Sequence, residues 1–169
     1  MAGLPGAGKS TVAEVIGNRL GYAVLSVDPI ESAILSAGID SDQPTGLAAY
    51  LVAEAIADAA LANGQSIIVD AVNAVDPARE QWVTLARKHG DSLRFIEVIC
   101  SDTDVHRQRL EARDRNLSHL EEPTWHAVEQ SLDEYAEWAG AAAAIPRIRI
   151  DSVQPLGHLV EQALAFVQS

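Results

Sequence analysis

The sequence predicts an α/β fold in which helices cover both faces of a parallel sheet, giving three layers. Two observations predict it. Short apolar runs, the pattern of buried strands, alternate along the chain with longer segments of helical periodicity. The length of 169 residues suits one domain that buries a sizeable core. We therefore expect a single domain over residues 1–169.

A glycine-rich segment comes first, with Gly3, Gly8, Lys9 and Ser10 in the pattern G-x-x-x-x-G-K-S/T. In this pattern the backbone N–H groups of a loop converge on the phosphates of a nucleotide, and glycine lets the chain approach the anion closely. The lysine supplies a point charge for the outer phosphates, and the serine hydroxyl supplies a ligand for Mg²⁺. The alternative is a chance surface turn before a lysine, which is rare in a chain with only one other lysine. We call residues 3–8 the glycine loop.

The glycine loop precedes a helix but does not follow a strand. Residues 11–20 carry apolar side chains on one face, and Gly21 ends the pattern as a C-terminal glycine does. Only Met1 and Ala2 come before Gly3, although such a loop normally follows a buried apolar strand. We expect that the true start lies upstream or that the chain has been trimmed, because a gap at the centre of a sheet costs packing energy. A strand from a neighbouring molecule is the alternative.

Two predicted strands end at carboxylates. The apolar run of residues 23–27 is followed by Asp28, and the run of residues 66–70 ends in Asp70. Ligands of open parallel sheets bind at the carboxyl ends of strands, so Asp28 is a candidate for catalysis or substrate binding. For Asp70 the same position favours a metal or substrate role. The alternatives are helix capping by Asp28 and turn capping by Asp70. Asn73 lies close by and is a candidate to hydrogen-bond a substrate.

Arginines are concentrated in one short segment, which we call the arginine cluster: Arg107, Arg109, Arg113 and Arg115. A predicted helix over residues 105–113 places Arg109 and Arg113 one turn apart on one face, where guanidinium forks can bind phosphate oxygens. The alternative is a solvated helix face paired with glutamates. The polar residues 116–122 that follow predict a small lid over the nucleotide, near residues 114–123.

The rest of the chain supplies further helices and strands. A long alanine-rich helix is predicted over Thr45 to Ala62, with Leu47, Leu51, Ala55 and Ile56 among its apolar positions. The longest strand is predicted over residues 93–100. A helix from residue 123 towards residue 144, a strand over 145–150 and a helix over 156–167 complete the pattern.

Composition narrows the classes of partner. The formal net charge of -12 argues against broad binding to nucleic acid or to anionic membranes. No apolar run of membrane length or cleavable leader stands out, and the single Cys100 excludes an internal disulfide. The histidines show no metal-ligand spacing. We expect a cytoplasmic protein with no membrane partner, for which nucleic acid is a disfavoured partner.

The glycine loop, the strand ends at Asp28 and Asp70, and the pattern Arg109-Leu110-x-x-Arg113 together resemble one family. They are similar to the small P-loop kinases of the adenylate-kinase-like and polynucleotide-kinase-like group, which includes gluconate kinase and chloramphenicol phosphotransferase. The resemblance spans nearly the whole chain, and the glycine loop is its sharp motif. It implies a P-loop NTPase fold with a five-stranded parallel sheet whose central strand leads into the loop. That first strand is the one missing from this chain.

The resemblance also implies a role for each candidate residue. The nucleotide would be held by Gly3, Pro5, Gly6, Ala7, Gly8, Lys9, Ser10, Thr11, Arg109 and Arg113. Ser10 and Asp70 would bind Mg²⁺. Asp28 would accept the proton of a substrate hydroxyl, while Lys9, Arg113 and Arg115 would neutralise charge on the phosphoryl group during transfer. Asp28, Asp70 and Asn73 would line the acceptor site.

These parts predict an ATP-dependent phosphotransferase that moves the γ-phosphoryl group to a hydroxyl or phosphate of a small molecule. Phosphoryl transfer needs positioning and charge neutralisation more than covalent help, so these groups suffice. The alternative is a nucleotide hydrolase or nucleotide-gated binding module without an acceptor. A polynucleotide 5′-hydroxyl kinase is a narrower variant, which the acidic charge disfavours. ATP is expected rather than GTP because the chain has no Asn-Lys-x-Asp motif.

Overall fold

The computed structural model describes residues 1–115 and 117–169, apart from the side chains of residues 133 and 134. Its elements in chain order are α1 (Lys9–Leu20), β1 (Ala23–Ser26), α2 (Val27–Ser36), α3 (Thr45–Ala62), β2 (Ile67–Asp70), α4 (Asp76–His89), β3 (Phe95–Ile99), α5 (Thr103–Glu111), α6 (Trp125–Glu134), β4 (Arg147–Asp151) and α7 (Leu156–Gln168). The predicted alternation of strands and helices is confirmed.

The strands form two parallel pairs. In the first pair, β1 lies beside β2, with Ser26 opposite Asp70 at the carboxyl end. In the second pair, β3 lies beside β4, with Ile99 opposite Asp151. Parallel strands need covered faces, and each crossover between them contains at least one helix.

Residues 1–3 join the two pairs. The Ala2 amide donates to the carbonyl of Ile96 at 2.9 Å, and the Ala2 carbonyl accepts from the Val98 amide at 2.8 Å. On the other side, the Gly3 amide donates to the carbonyl of Val72 at 3.0 Å. The order across the fold is therefore β1, β2, residues 1–3, β3 and β4. A single parallel bridge at Ala2 stands where the resemblance places a central strand.

A cavity lies between β2 and β3, beside residues 1–3. It has a volume of about 480 Å³, and Ile68, Phe95 and Ile96 are among its lining residues. The amino group of Met1 lies at this cavity and donates to the carbonyl of Val69 at 2.5 Å.

Helices cover both faces of the strands, which gives the predicted three layers. Helices α1 and α7 pack on one face, where Val12, Ile16 and Leu159 are buried with Ile150 of β4. Helices α3 and α4 lie on the other face, where Trp82 is buried. The predicted α/β fold class is confirmed, and the carboxyl ends of the strands stay open to a ligand.

The face of α3 that packs is built from alanines. Ala49, Ala53 and Ala57 are 0–1% exposed, whereas Leu47 is 60% and Leu51 54% exposed. The small alanines let α3 lie close to the layer beneath it, so its large apolar side chains face outward. Among the described residues α3 is the one helix whose length and composition would allow it to cross a membrane, a test that core helices of soluble domains also pass.

The predicted long helix from residue 123 towards residue 144 is wrong, because α6 ends at Glu134. The chain then turns extended, and Trp138 packs over two guanidinium groups, those of Arg79 and Arg147, each 4.3 Å from the ring centre. The Ala136 amide also donates to the carbonyl of Ala74 at 3.1 Å. Cation–π contacts and this hydrogen bond across the fold outweigh the local helix propensity.

Candidate active site

The glycine loop lies between the Ala2 bridge and α1, at the carboxyl ends of the strands. Gly3 has a φ of 132°, and a Cβ atom there would lie 2.1 Å from the carbonyl oxygen of Val98. Gly8 has a φ of 94° and is the N-cap residue of α1. Both positions therefore exclude other residue types, as the motif predicts. The first-turn amides of α1 point into the cleft with the positive end of the helix dipole.

Lys9 binds back onto the glycine loop. Its Nζ atom donates to the carbonyl of Leu4 at 3.1 Å, and the residue is 7% exposed. Burial lowers the pKa of Lys9 from its ordinary value, and the carboxylates of Asp70 and Asp28 oppose this shift. An anion in the cleft would favour the charged form of Lys9 and compete with the Leu4 carbonyl for its ammonium group.

Ser10 and Asp70 meet as the sequence predicts. The Ser10 hydroxyl donates to Oδ2 of Asp70 at 2.7 Å, and the Ser26 hydroxyl donates to the same atom at 3.2 Å. Oδ1 of Asp70 is buried and has no hydrogen-bond partner among the described residues. Hard oxygen donors with one unused carboxylate oxygen fit Mg²⁺, which takes one or two protein ligands plus phosphates and waters. No group of three or more acidic, histidine or cysteine residues in the described chain forms a metal site by itself.

Asp28 lies in the first turn of α2, where Ser26 is the N-cap residue, so capping is not its role. Its Oδ2 atom accepts a short hydrogen bond from Arg115 and lies 3.8 Å from Nη2 of Arg113. Glu122 holds the same two arginines from the other side. Its Oε1 atom accepts from Nε of Arg115 at 2.5 Å, and its Oε2 atom lies 3.7 Å from Nη1 of Arg113.

The arginine cluster divides into members that face the cleft and one that does not. Helix α5 ends at Glu111, so the predicted helix face shared by Arg109 and Arg113 is wrong. Arg109 is held by Ser152, donating to its hydroxyl at 2.8 Å and to its carbonyl at 3.0 Å. Arg107 pairs with Glu111 on the exposed side of α5. We call Arg109, Arg113 and Arg115 the cleft arginines.

Burial in the cleft lowers the pKa of Arg113. The like charge of Arg115 lowers it further, while Glu122 and Asp28 act in the opposite direction. Two guanidinium groups side by side repel each other. An anion bound between them would relieve that repulsion.

The predicted substrate contact of Asn73 does not fit its position. Asn73 is 1% exposed, its amide group donates to the carbonyl of Met1 at 2.7 Å, and its side-chain oxygen accepts from the Trp82 indole at 3.0 Å. Its φ of 49° lies in the left-handed region. Asn73 therefore shapes the turn after β2, and its side chain has no free group to offer a substrate.

The predicted lid is only partly described. Asn116 lies outside the described residues. On its two sides, Arg115 contacts Asp28, and the carbonyl of Ser118 accepts from the Ser32 hydroxyl at 2.6 Å. These contacts connect the segment to α2. The assignment of a lid near residues 114–123 stays a prediction, as does the single domain.

Two residues of the site, Ser152 and His106, carry no signal in the sequence, whereas Glu122 is one of the glutamates named as alternative partners of the arginines. Ser152 orients Arg109, Glu122 orients Arg113 and Arg115, and His106 contacts the glycine loop, its Nε2 atom lying 2.7 Å from the carbonyl oxygen of Pro5. Ser152 and His106 act on partners far away along the chain, whereas Glu122 lies only seven residues from Arg115. A sequence motif contains only residues close together in the chain, so it does not indicate the pairs Arg109–Ser152 and His106–Pro5.

The site as a whole is a cleft of about 680 Å³. Its charged and loop residues are Gly6, Gly8, Lys9, Ser10, Thr11, Glu14, Asp28, Asp70, Arg109, Arg113 and Arg115. Gly3 and Ala7 are buried behind the loop surface. The four cationic side chains of this cleft can neutralise a polyphosphate, and its carboxylates include a proton acceptor, Asp28, beside them.

Comparisons with solved structures place this arrangement in a known fold. A sugar kinase from Janibacter is 20% identical with a TM-score of 0.72, covering 99% of this chain and 91% of that one. A gluconokinase from Sinorhizobium meliloti is 21% identical with a TM-score of 0.65, covering 99% and 89%. The APS kinase of Mycobacterium tuberculosis, in complex with AMPPNP and APS, is 17% identical with a TM-score of 0.66, covering 99% and 95%.

Sequence comparison gives the family. No curated protein matches the chain. The model of the AAA domain family matches residues 1–138, which is more than half of the chain. The predicted resemblance to small P-loop kinases is confirmed. The chain therefore belongs to the AAA domain family, and its fold is that of the P-loop kinases.

Proposed function

We propose that the protein is an ATP-dependent phosphotransferase that moves the γ-phosphoryl group to a hydroxyl or phosphate of a small molecule. The observation that carries this proposal is the meeting of Asp28 with Lys9, Arg113 and Arg115 in one cleft beside the glycine loop. A phosphate cradle alone would need no carboxylate at that place. A carboxylate opposite the cradle supplies a proton acceptor for an incoming hydroxyl.

Each residue has a distinct task in this proposal. The amides of residues 6–11 bind the phosphates, and Ser10 and Asp70 would hold Mg²⁺, which supplies charge neutralisation at the phosphates when bound. Lys9 leaves the carbonyl of Leu4 to bind the outer phosphates. Asp28 orients the acceptor hydroxyl and takes its proton.

The contact between Asp28 and Arg115 must open for the reaction. Arg115 turns to the phosphoryl group, whose charge exceeds that of a single carboxylate, and Asp28 becomes free for the acceptor. The side chain of Asp28 is 39% exposed, so an acceptor can reach it from solvent. The opening of this contact thus brings Arg115 to the negative charge that develops during transfer and leaves Asp28 available to the acceptor hydroxyl.

The named neighbours support the reaction class. The sugar kinase, the gluconokinase and the APS kinase are phosphotransferases by name, and they act on different acceptors. The three neighbours share one fold with this chain while their acceptors differ from one another, so we infer that the acceptor site sets which molecule each kinase phosphorylates.

A second candidate function is nucleotide hydrolysis or nucleotide-gated binding without an acceptor. One observation favours it: Asp28 is already engaged by Arg115, which would leave water as the acceptor if that contact persisted. The two candidates differ in whether an added acceptor stimulates ATP consumption.

The test is a phosphorylation screen with labelled Mg-ATP over nucleosides, sugars, antibiotics and oligonucleotides, followed by Asp28→Asn on the acceptor found. We expect Asp28→Asn to slow acceptor phosphorylation by about 100-fold or more, the usual contribution of a positioned base, with Mg-ADP affinity changed much less. The matched control is Asp40→Asn, which changes an exposed carboxylate away from the cleft. Full activity of Asp28→Asn, or ATP turnover that no acceptor stimulates, would refute the transferase.

A further inference from the structure

His106 is a buried imidazole that the proposed chemistry does not use. It lies on α5 and is 3% exposed, with its Nε2 atom 2.7 Å from the carbonyl oxygen of Pro5. A carbonyl oxygen only accepts hydrogen bonds, so Nε2 carries the proton and donates it to Pro5. The glycine loop is thus bonded from outside by a residue about a hundred positions away in the chain.

The bonded carbonyl belongs to the central peptide of a tight turn. The Ala7 amide donates to the carbonyl of Leu4 at 3.2 Å, which closes a turn over residues 4–7. Pro5 is at its second position and Gly6, with a φ of 81°, at its third. This pattern is that of a type II turn, which differs from type I by a flip of the central peptide. Type I and type II turns point that peptide's N–H in opposite directions.

The orientation of this peptide decides where the Gly6 amide points. In a planar trans peptide the carbonyl oxygen and the next N–H point in opposite directions. His106 holds the Pro5 oxygen on the α5 side of the loop, so the Gly6 N–H points to the other side. Gly6 lines the cleft, which places that N–H at the phosphate site.

The imidazole ring is itself held in place. A Cβ atom at Gly6 would lie 3.2 Å from Cδ2 of His106, so the ring packs directly against this glycine. The indole of Trp125 meets the ring edge-on, with ring centres 5.3 Å apart and an interplanar angle of 79°. Ring and peptide therefore constrain each other, and Trp125 links this contact to α6.

We propose that His106 is a positioning residue, which fixes the peptide between Pro5 and Gly6 so that the Gly6 amide donates to a phosphate of the bound nucleotide. This inference rests on the proposed function, since it assigns one donor of the phosphate cradle. Without the imidazole, the peptide flips and its carbonyl oxygen faces the anion. The loop then loses a donor and gains a repelling dipole at the same point.

The experiment measures Mg-ADP and inorganic pyrophosphate binding by calorimetry for wild type, His106→Gln and His106→Met. Glutamine brings an N–H towards the Pro5 carbonyl, whereas methionine fills the space without a donor. We expect His106→Met to weaken both ligands by about tenfold or more, as for a lost hydrogen bond to a charged group. His106→Gln should stay within about threefold of wild type, because the donor is restored. Melting temperatures of both variants are measured alongside.

The outcomes separate positioning from support of the fold. Equal losses of affinity in the two variants, or losses that follow the melting temperature, would overturn the proposal. A measurement on the wild type needs no variant: the Gly6 amide proton, followed by NMR with ¹⁵N-glycine, should shift when Mg-ADP is added. An unmoved Gly6 signal beside shifted signals of Gly8 would overturn it, whereas wild type that binds no Mg-ADP at all would overturn the proposed function itself.

Discussion

The glycine loop and the cleft arginines face each other across one cleft, but different kinds of contact hold them. The loop is tied by neutral backbone groups, such as the carbonyl of Val72 that accepts from Gly3 and the carbonyl of Leu4 that accepts from Lys9. Arg113 and Arg115 are instead tied by the carboxylates of Asp28 and Glu122. The glycine loop is thus held by hydrogen bonds to the backbone of the fold, whereas Arg113 and Arg115 are held by ion pairs.

This contrast indicates which of the two, the glycine loop or the cleft arginines, can rearrange when a ligand binds. Backbone contacts, together with the hydrogen bond from His106 to Pro5, hold the loop in one shape, which preorganises its amides for an anion. Ion pairs of partly exposed groups contribute little to stability and are readily exchanged. A phosphate can therefore take the place of Asp28 or Glu122 on the arginines, while the loop stays as it is. A rigid cradle with exchangeable counter-charges suits a cycle of binding, transfer and release.

The largest effect should follow from Gly3→Ala, which tests the rigid side. The added Cβ atom would meet the Val98 carbonyl oxygen at 2.1 Å, at a φ of 132° that alanine avoids. We expect a loss of more than about 4 kcal/mol in the free energy of unfolding, measured by urea denaturation. The control is Gly157→Ala in α7, where nothing lies within 4 Å and helix propensity predicts a gain of about 0.5–1 kcal/mol. Similar stabilities for the two variants would contradict a loop fixed by its backbone.

The same contrast explains how far the sequence could predict the site. The glycine loop depends on residues next to one another, so its glycines, Lys9 and Ser10 were readable as a motif. Ser10 and Asp70 were assigned to one Mg²⁺ site from the motif and the resemblance, and the structure brings their side chains together. Where local chemistry or topology decides, prediction and structure agree.

The failures of prediction involve partners far apart in the chain. The helix predicted to carry Arg113 ends before it, and the contact of Arg113 with the distant Asp28 is set by the fold. Asn73 is predicted from the sequence to hydrogen-bond a substrate, but in the structure its side chain is hydrogen-bonded to Met1 and Trp82. For such residues the chemical type of the side chain is known from the sequence, but its hydrogen-bond or ion-pair partner depends on the tertiary structure.

A smaller effect should appear in the pH dependence of nucleotide binding, and it tests Lys9. Burial lowers the pKa of Lys9 from 10.5, and phosphate charge raises it again on binding. At a pH between the lowered pKa of Lys9 and its ordinary value of 10.5, Lys9 is less protonated in the free protein than in the complex. Nucleotide binding therefore takes up protons in this pH range. The affinity for Mg-ADP should then fall as pH rises through this window, by at most about tenfold per pH unit.

Calorimetry in buffers of different ionisation enthalpy measures this proton uptake. Lys88→Met is the matched control, because Lys88 is 61% exposed and pairs with Asp58 away from the cleft. Its proton uptake should equal that of wild type. Release of protons, or none exchanged, would mean that Lys9 does not meet the phosphates.

The smallest effect is expected for Glu122→Gln, on the exchangeable side. The Glu122 side chain is 31% exposed and shares its two arginines with Asp28, so removing its charge should cost less than about 1 kcal/mol of unfolding free energy. The loss should shrink further at high salt, because exposed charges are screened. Glu111→Gln, which breaks the exposed pair with Arg107, is the control of like chemistry outside the cleft. A destabilisation of several kcal/mol that did not depend on salt would contradict this expectation. Arg113 and Arg115 would then be held as firmly as the glycine loop, and a nucleotide phosphate could not replace their carboxylate partners.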